Sequence, residues 1–270
     1  MELLASSPWE ATLASCLSCL CFFLIQWVLG TPQIRAMQER IFSSRRKVGP
    51  DKLNTLVSGL IIRIVGFVHN TLQVGLALVV LTDKAMWRDP FHSVSPMSQF
   101  VLIVSAGFFA WDFLVCVARV REDGFPFVLH GLLCGIFYNY VILTGNLHLY
   151  GCAFLLWECS TPFTQFRWIL HKMGLGESKL YVINGFLMIF SFFLCRICLG
   201  TYVTLTYFIR SSSYMGSPEA RISSLLLWEF RLMSLVLNGL NYWWFSKMVR
   251  IALSLLLGKN PLKEKNIKEG

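Results

Sequence analysis

Residues 146–170 read NLHLYGCAFLLWECSTPFTQFRWIL, an apolar stretch long enough to enter a bilayer, with a glutamate and a proline set into its middle. How Glu158 reads depends on the class of the chain around it. Of 270 residues, 55% are hydrophobic and only 14% charged, and apolar runs repeatedly exceed the ~18 residues that cross a hydrocarbon core. The composition therefore predicts an all-α polytopic membrane protein. Helices are required because backbone groups that face lipid must be satisfied within their own segment.

Seven spans are expected, near residues 12–29, 56–81, 98–118, 125–143, 147–166, 181–208 and 224–257. The first is read as a retained signal anchor, because Glu2 and Glu10 precede it and no basic n-region does. Basic residues cluster in alternate loops. Arg35, Arg40, Arg45, Arg46, Lys47 and Lys52 follow the first span, Arg119 and Arg121 the third, and Arg167, Lys172 and Lys179 the fifth. Lys259, Lys263, Lys265 and Lys268 follow the seventh, whereas the opposite loops hold only Lys84, Arg88, Arg210 and Arg221. The bias predicts a lumenal amino terminus and a cytosolic carboxyl terminus. Residues 1–49 would then be the anchor helix with its basic loop, 50–255 the helical domain, and 256–270 a basic cytosolic tail.

The net charge of +9 reads as a rim facing anionic headgroups, and nucleic acid is not an expected partner. Cys16 and Cys19, and Cys195 and Cys198, have CxxC spacing without a second pair or a histidine cluster. Buried apolar thiols are the reading, with no metal, no cofactor and no disulfide expected.

Polar residues inside the spans carry the functional signal. Gly59, Arg63, Gly66 and Asn70 form one stripe with His69 and Gln73 beside it, either a packing seam or the wall of a polar cavity. Asp112 is expected either to pair with Arg63 or Arg196 or to stay protonated. His130, Cys134, Phe137 and Val141 share a face, and Gly131 and Gly135 offer a neighbouring helix close approach. Pro162 is expected to kink the fifth span and free the Glu158 carbonyl, with Thr161 and Gln165 on the same polar face. Arg231, Ser234 and Asn238 share a face of the last span.

Several stretches together carry a resemblance. RIVGFVHN (63–70), GFFAWDFL (107–114), FVLH (127–130), FLLWECSTPFTQFRW (154–168), VINGFLMIFSFFLCRI (182–197) and LNGLNYWWFSKMV (237–249) are similar to the TLC-domain family (TRAM, LAG1 and CLN8 homology). The likeness is greatest to its TLC domain-containing protein 4 subgroup. The resemblance covers roughly residues 50–255 and implies a helical bundle around a central cavity in the endoplasmic reticulum or another internal membrane. Ceramide synthases of this family use adjacent histidines followed by two aspartates. His130 matches the first histidine, Gly131 stands where the second would be, Glu158 replaces the first aspartate and Thr161 the second.

The resemblance implies His130 and Glu158 as candidate catalytic residues, with Arg63, His69, Asn70, Asp112, Thr161, Gln165 and Arg196 lining the cavity. One reading is a lipid-binding protein of lipid homeostasis, with membrane lipids as partners and a homo-oligomer left open. Another is an acyl-CoA-dependent acyltransferase with a single histidine, in which Arg119, Arg121, Arg167 and Lys172 would bind the CoA phosphates. A third is a cargo or sterol sensor without lipid chemistry.

Overall fold

The computed structural model describes residue 5 and residues 7–43 and 49–257, and these form helices, turns and short links with no strand. Glu2, Arg45, Arg46, Lys47, Lys259, Lys263, Lys265, Lys268 and the tail from residue 258 lie outside the described residues.

Proline and serine set most of the helix starts. Helix α1 (Pro8–Leu29) begins on Pro8, with the Ser7 hydroxyl accepting from the Glu10 amide. A short α2 (Pro32–Ser43) follows, then α3 (Pro50–Leu81), whose 32 residues reach ~48 Å at 1.5 Å per residue and so overshoot the hydrocarbon layer. After the short α4 (Lys84–Arg88), Ser95 and Ser98 build a reciprocal capping box at the start of α5 (Pro96–Ala118). A single turn, α6 (Val120–Asp123), leads into α7 (Phe125–Thr144), which ends on Gly145 at φ 64°, a left-handed conformation that glycine adopts without strain.

The chain then breaks into α8 (His148–Leu155), a 3-10 turn (Leu156–Ser160) and α9 (Thr161–Lys172). Helix α10 (Lys179–Phe192) runs through a π-helical segment (Phe193–Leu199) into α11 (Gly200–Met215). Helix α12 (Ser224–Leu256) completes the bundle.

Among the described residues, five stretches are long and apolar enough to cross a bilayer: α1, α3, α5, α7 and the continuous run Lys179–Met215. They coincide with five of the seven expected spans. The other two expected spans are not among them: residues 147–166 fall on the broken α8 to α9 segment, and 224–257 on α12, which carries Glu229, Arg231, Lys247 and Arg250 along its length.

Helix α5 is the axis of the bundle, with Val101, Leu102, Ala106 and Trp111 fully buried. Helix α1 lies against it by the face of Ala11, Ser15 and Phe22, while Leu13, Leu17, Leu20, Leu24 and Trp27 form an exposed stripe that suits lipid. The approach is close at Gly107, where a Cβ would stand 2.5 Å from that of Ser18. Polar bonds fix the docking: Trp111 Nε1 donates to Gln26 Oε1 at 2.8 Å and Ser15 Oγ to Asn139 Oδ1 at 3.2 Å. Helix α7 packs on both α1 and α5 and approaches α5 closely at Gly131, the first glycine of the GxxxG spacing.

Candidate functional site

The fifth span breaks before its proline, not at it. Pro162 sits in the first turn of α9, where its missing N–H costs nothing. The preceding five residues tighten into a 3-10 turn, and the Thr161 amide donates to the Glu158 carbonyl. The expected free carbonyl at Glu158 is therefore corrected: it is satisfied, because a tighter turn bonds three residues back instead of four. The same turn aims the Glu158 side chain inward, where it is 7% exposed.

The partner comes from the π-helical segment. An extra residue per turn there presents Arg196 to the same point, and Arg196 Nη2 donates to Glu158 Oε1 at 3.1 Å and to Thr161 Oγ1 at 2.7 Å. Thr161 in turn donates to Glu158 Oε2 at 2.6 Å. Arg196 Nε reaches Ser160 Oγ and Nη1 reaches Asn241 Oδ1, each at 3.1 Å. Four elements meet in this lattice. A buried ion pair persists only when its remaining donors and acceptors are met, and here nearly all are, with the Asn241 amide nitrogen unpartnered.

His130 approaches from α7, its Nε2 3.8 Å from Glu158 Oε1 and 3.7 Å from Cys134 Sγ. Those two and Ser234 line a cavity of about 30 Å³, walled by Phe109, Phe137 and Phe230 among other apolar side chains. A water needs at least ~10–15 Å³ of such space, so the cavity takes about two waters and no acyl chain.

Of the nine candidate residues, the structure thus brings together His130, Glu158, Thr161 and Arg196. Gln165 faces α3, with its Nε2 against Gly66. Arg63 lies elsewhere, bonded to Asp123 at 3.3 Å and stacked on Trp168 at 3.9 Å. His69 stacks on Phe108 at 3.6 Å and bonds Asn70 at 2.9 Å within the aromatic core. The polar stripe of α3 packs against α9, since a Cβ on Gly59 would lie 3.0 Å from the Trp168 ring. Asp112 pairs with neither Arg63 nor Arg196, because Asp123 and Glu158 hold those two guanidiniums. Its side-chain partner is Cys116 Sγ at 3.9 Å.

Ser160, Phe109 and Phe230 escaped sequence reasoning, since serine and phenylalanine within apolar helices carry no signal of their own, whereas Phe137 was already placed on the face of His130. The CoA-phosphate set is dispersed over separate contacts. Arg119 pairs with Asp123, Arg167 stacks on Tyr181 and Lys172 stands over Trp168.

Gly131 explains the lone histidine. A Cβ there would lie 3.0 Å from Phe113 Cα, 3.2 Å from Phe113 N and 3.3 Å from Asp112 Oδ2. Any side chain there would press on the α5 backbone, which would have to give by a few tenths of an ångström.

Residues 60–250 match the TLC domain of the TRAM, LAG1 and CLN8 family. The chain is 30% identical over 219 residues to the TLC domain-containing protein 4-B of Danio rerio, covering 79% of each chain. It is 27% identical over 209 residues to the human TLC domain-containing protein 4, covering 76% of this chain and 78% of that one. An uncharacterized TLC domain-containing protein of Schizosaccharomyces pombe is 28% identical over 186 residues, with 69% of this chain aligned to 62% of the relative's length. The broken fifth span, the His130 face and the Arg196 segment all fall within the matched residues, and the chain belongs to the TLC-domain family.

Proposed function

We propose that the protein acts in lipid homeostasis by binding lipid, and so affecting lipid movement or membrane composition, and is not a standard ceramide synthase. The observation that carries this reading is the engagement of Glu158. Both of its oxygens are held by Arg196 and Thr161, and a carboxylate so held orients a lattice more readily than it exchanges protons. Gly131, packed on α5, leaves His130 without a histidine neighbour. Membrane lipids are the expected partners, with no cofactor and no nucleic acid, and self-association into a homo-oligomer is part of the proposal. The alternation of basic loops supports a lumenal amino terminus, and membership of the TLC-domain family supports residence in the endoplasmic reticulum or another internal membrane. A lipid reaches the His130 cavity only when the aromatic side chains around it move apart.

One observation favours an acyl-CoA-dependent acyltransferase as the second reading: His130 and Glu158 share a cavity at 3.8 Å, a separation that tightens in many enzymes once substrate binds. His130 would take the proton from an amine or hydroxyl as it attacks the thioester carbonyl, and CoA would leave as the thiol.

The test is acyl-CoA consumption by purified protein in nanodiscs, offered sphingoid bases, lysophospholipids and sterols, with the co-purified lipid identified alongside. Lipid binding without turnover, unchanged in His130→Ala, is the expected result. Turnover abolished by His130→Ala would overturn the non-enzymatic reading and establish the acyltransferase.

A further inference from the structure

A second concavity lies outside the His130 site. It is a groove of about 630 Å³ between α1, the start of α2, α3 and the end of α5, within the ~300–1,000 Å³ range of ligand sites. Helices α1 and α2 precede the matched residues 60–250, so the TLC domain supplies only one side of it. Phe23 and Trp27 of α1 face Ile61 of α3 and Val115 of α5 along an apolar wall, and Ser58 and Arg119 bring polar groups to it. Trp27 is 68% exposed, so the wall opens toward the lipid-facing stripe of α1.

The charge at this end is unbalanced. Arg119 Nε bonds Asp123 Oδ2 at 2.9 Å and Arg63 Nη2 bonds Asp123 Oδ1 at 3.3 Å, and among the described residues no other carboxylate pairs with either guanidinium. Two cations therefore share one anion, with side chains only 15–23% exposed. A half-desolvated surplus charge beside a membrane is unfavourable until an anion joins it. A phospholipid headgroup of net negative charge supplies that anion, its oxygens having the acceptor geometry a guanidinium prefers, whereas the phosphodiester of a choline headgroup is already balanced by its own ammonium. The adjoining apolar wall selects a phosphate that carries a chain.

We propose that the groove binds an anionic glycerophospholipid, its headgroup at Arg119 and one acyl chain along Phe23, Trp27, Ile61 and Val115. The site is independent of His130 and Glu158, and holds whether or not the central cavity binds lipid.

The test is native mass spectrometry of the full chain from mixed micelles containing phosphatidylserine and phosphatidylcholine. The native protein is expected to retain phosphatidylserine by about fivefold, the fold-change typical of one basic residue near an anionic surface. Arg119→Gln leaves Arg63 and Asp123 balanced and should bring the ratio near one. Asp123→Asn leaves two unneutralised guanidiniums and should raise it. Opposite responses to the two substitutions do not arise from misfolding. Ser58→Trp fills the groove and should lower retention of both lipids. Equal retention of the two lipids by the native chain, or a ratio unmoved by both charge substitutions, would overturn the proposal.

Discussion

Gly131→Ala tests whether packing excludes a second histidine. The added Cβ would stand 3.0 Å from Phe113 Cα and 3.2 Å from Phe113 N, against ~3.5–4.0 Å for an unstrained contact. Those atoms are backbone, so relief requires α5 to move away from α7 by a few tenths of an ångström. Overpacking of this kind costs about 1–3 kcal/mol, and the gain of ~0.8–1 kcal/mol in helix propensity offsets part of it. Gly135→Ala is the internal control. Its Cβ would meet Phe109 O at 3.7 Å, an ordinary contact, so only the propensity gain remains.

The two alanine variants should therefore differ by about 1–3 kcal/mol, or several degrees of Tm at ~2–4 °C per kcal/mol. Tryptophan-emission melts in one fixed micelle give the ranking even where unfolding is irreversible. Gly131→His should fall below both variants, because an imidazole cannot enter between the two helices. A Gly131→Ala protein as stable as Gly135→Ala would refute the steric account, as would a Gly131→His protein of native stability.

Removing one member of the buried pair, by Glu158→Leu or Arg196→Leu, should cost about 3–5 kcal/mol, with the double variant recovering part of the loss; a double-mutant cycle of melting curves measures the coupling. Tyr214→Phe removes the hydroxyl that accepts from the Arg221 and Ile222 amides and meets His92 Nε2 at 2.9 Å. It should cost about 1–3 kcal/mol and speed hydrogen exchange at those two amides, with no change in the His130 cavity. Gly107→Ala would place a Cβ 2.7 Å from the Cys19 amide nitrogen and should loosen α1 from α5, read as protease access between α1 and α3 and as loss of the phosphatidylserine preference.

The class of this protein was written into its composition, because a bilayer enforces a rule that apolar length alone can satisfy. The helix starts carried a signal that the expected spans, beginning near 12, 56 and 98, did not use: Pro8, Pro50 and Pro96 stand where the structure begins α1, α3 and α5. The GxxxG spacing announced a close helix contact, which the structure makes at Gly131 and not at Gly135, and Glu158 announced itself by its cost. Which partner each polar group took was decided only by the tertiary structure. Arg63 and Arg196 look like equal partners for Asp112 in sequence, yet Asp123 claims Arg63, Glu158 claims Arg196 and Asp112 is left with Cys116. Pairing of this sort depends on rotations along α10 and on the tightening of residues 156–160, both smaller than any hydropathy signal. The packing at Gly131 has the same origin. A sequence shows that residue 131 is glycine, whereas the α5 backbone 3.0 Å from where its Cβ would be comes to it only once two distant segments have packed.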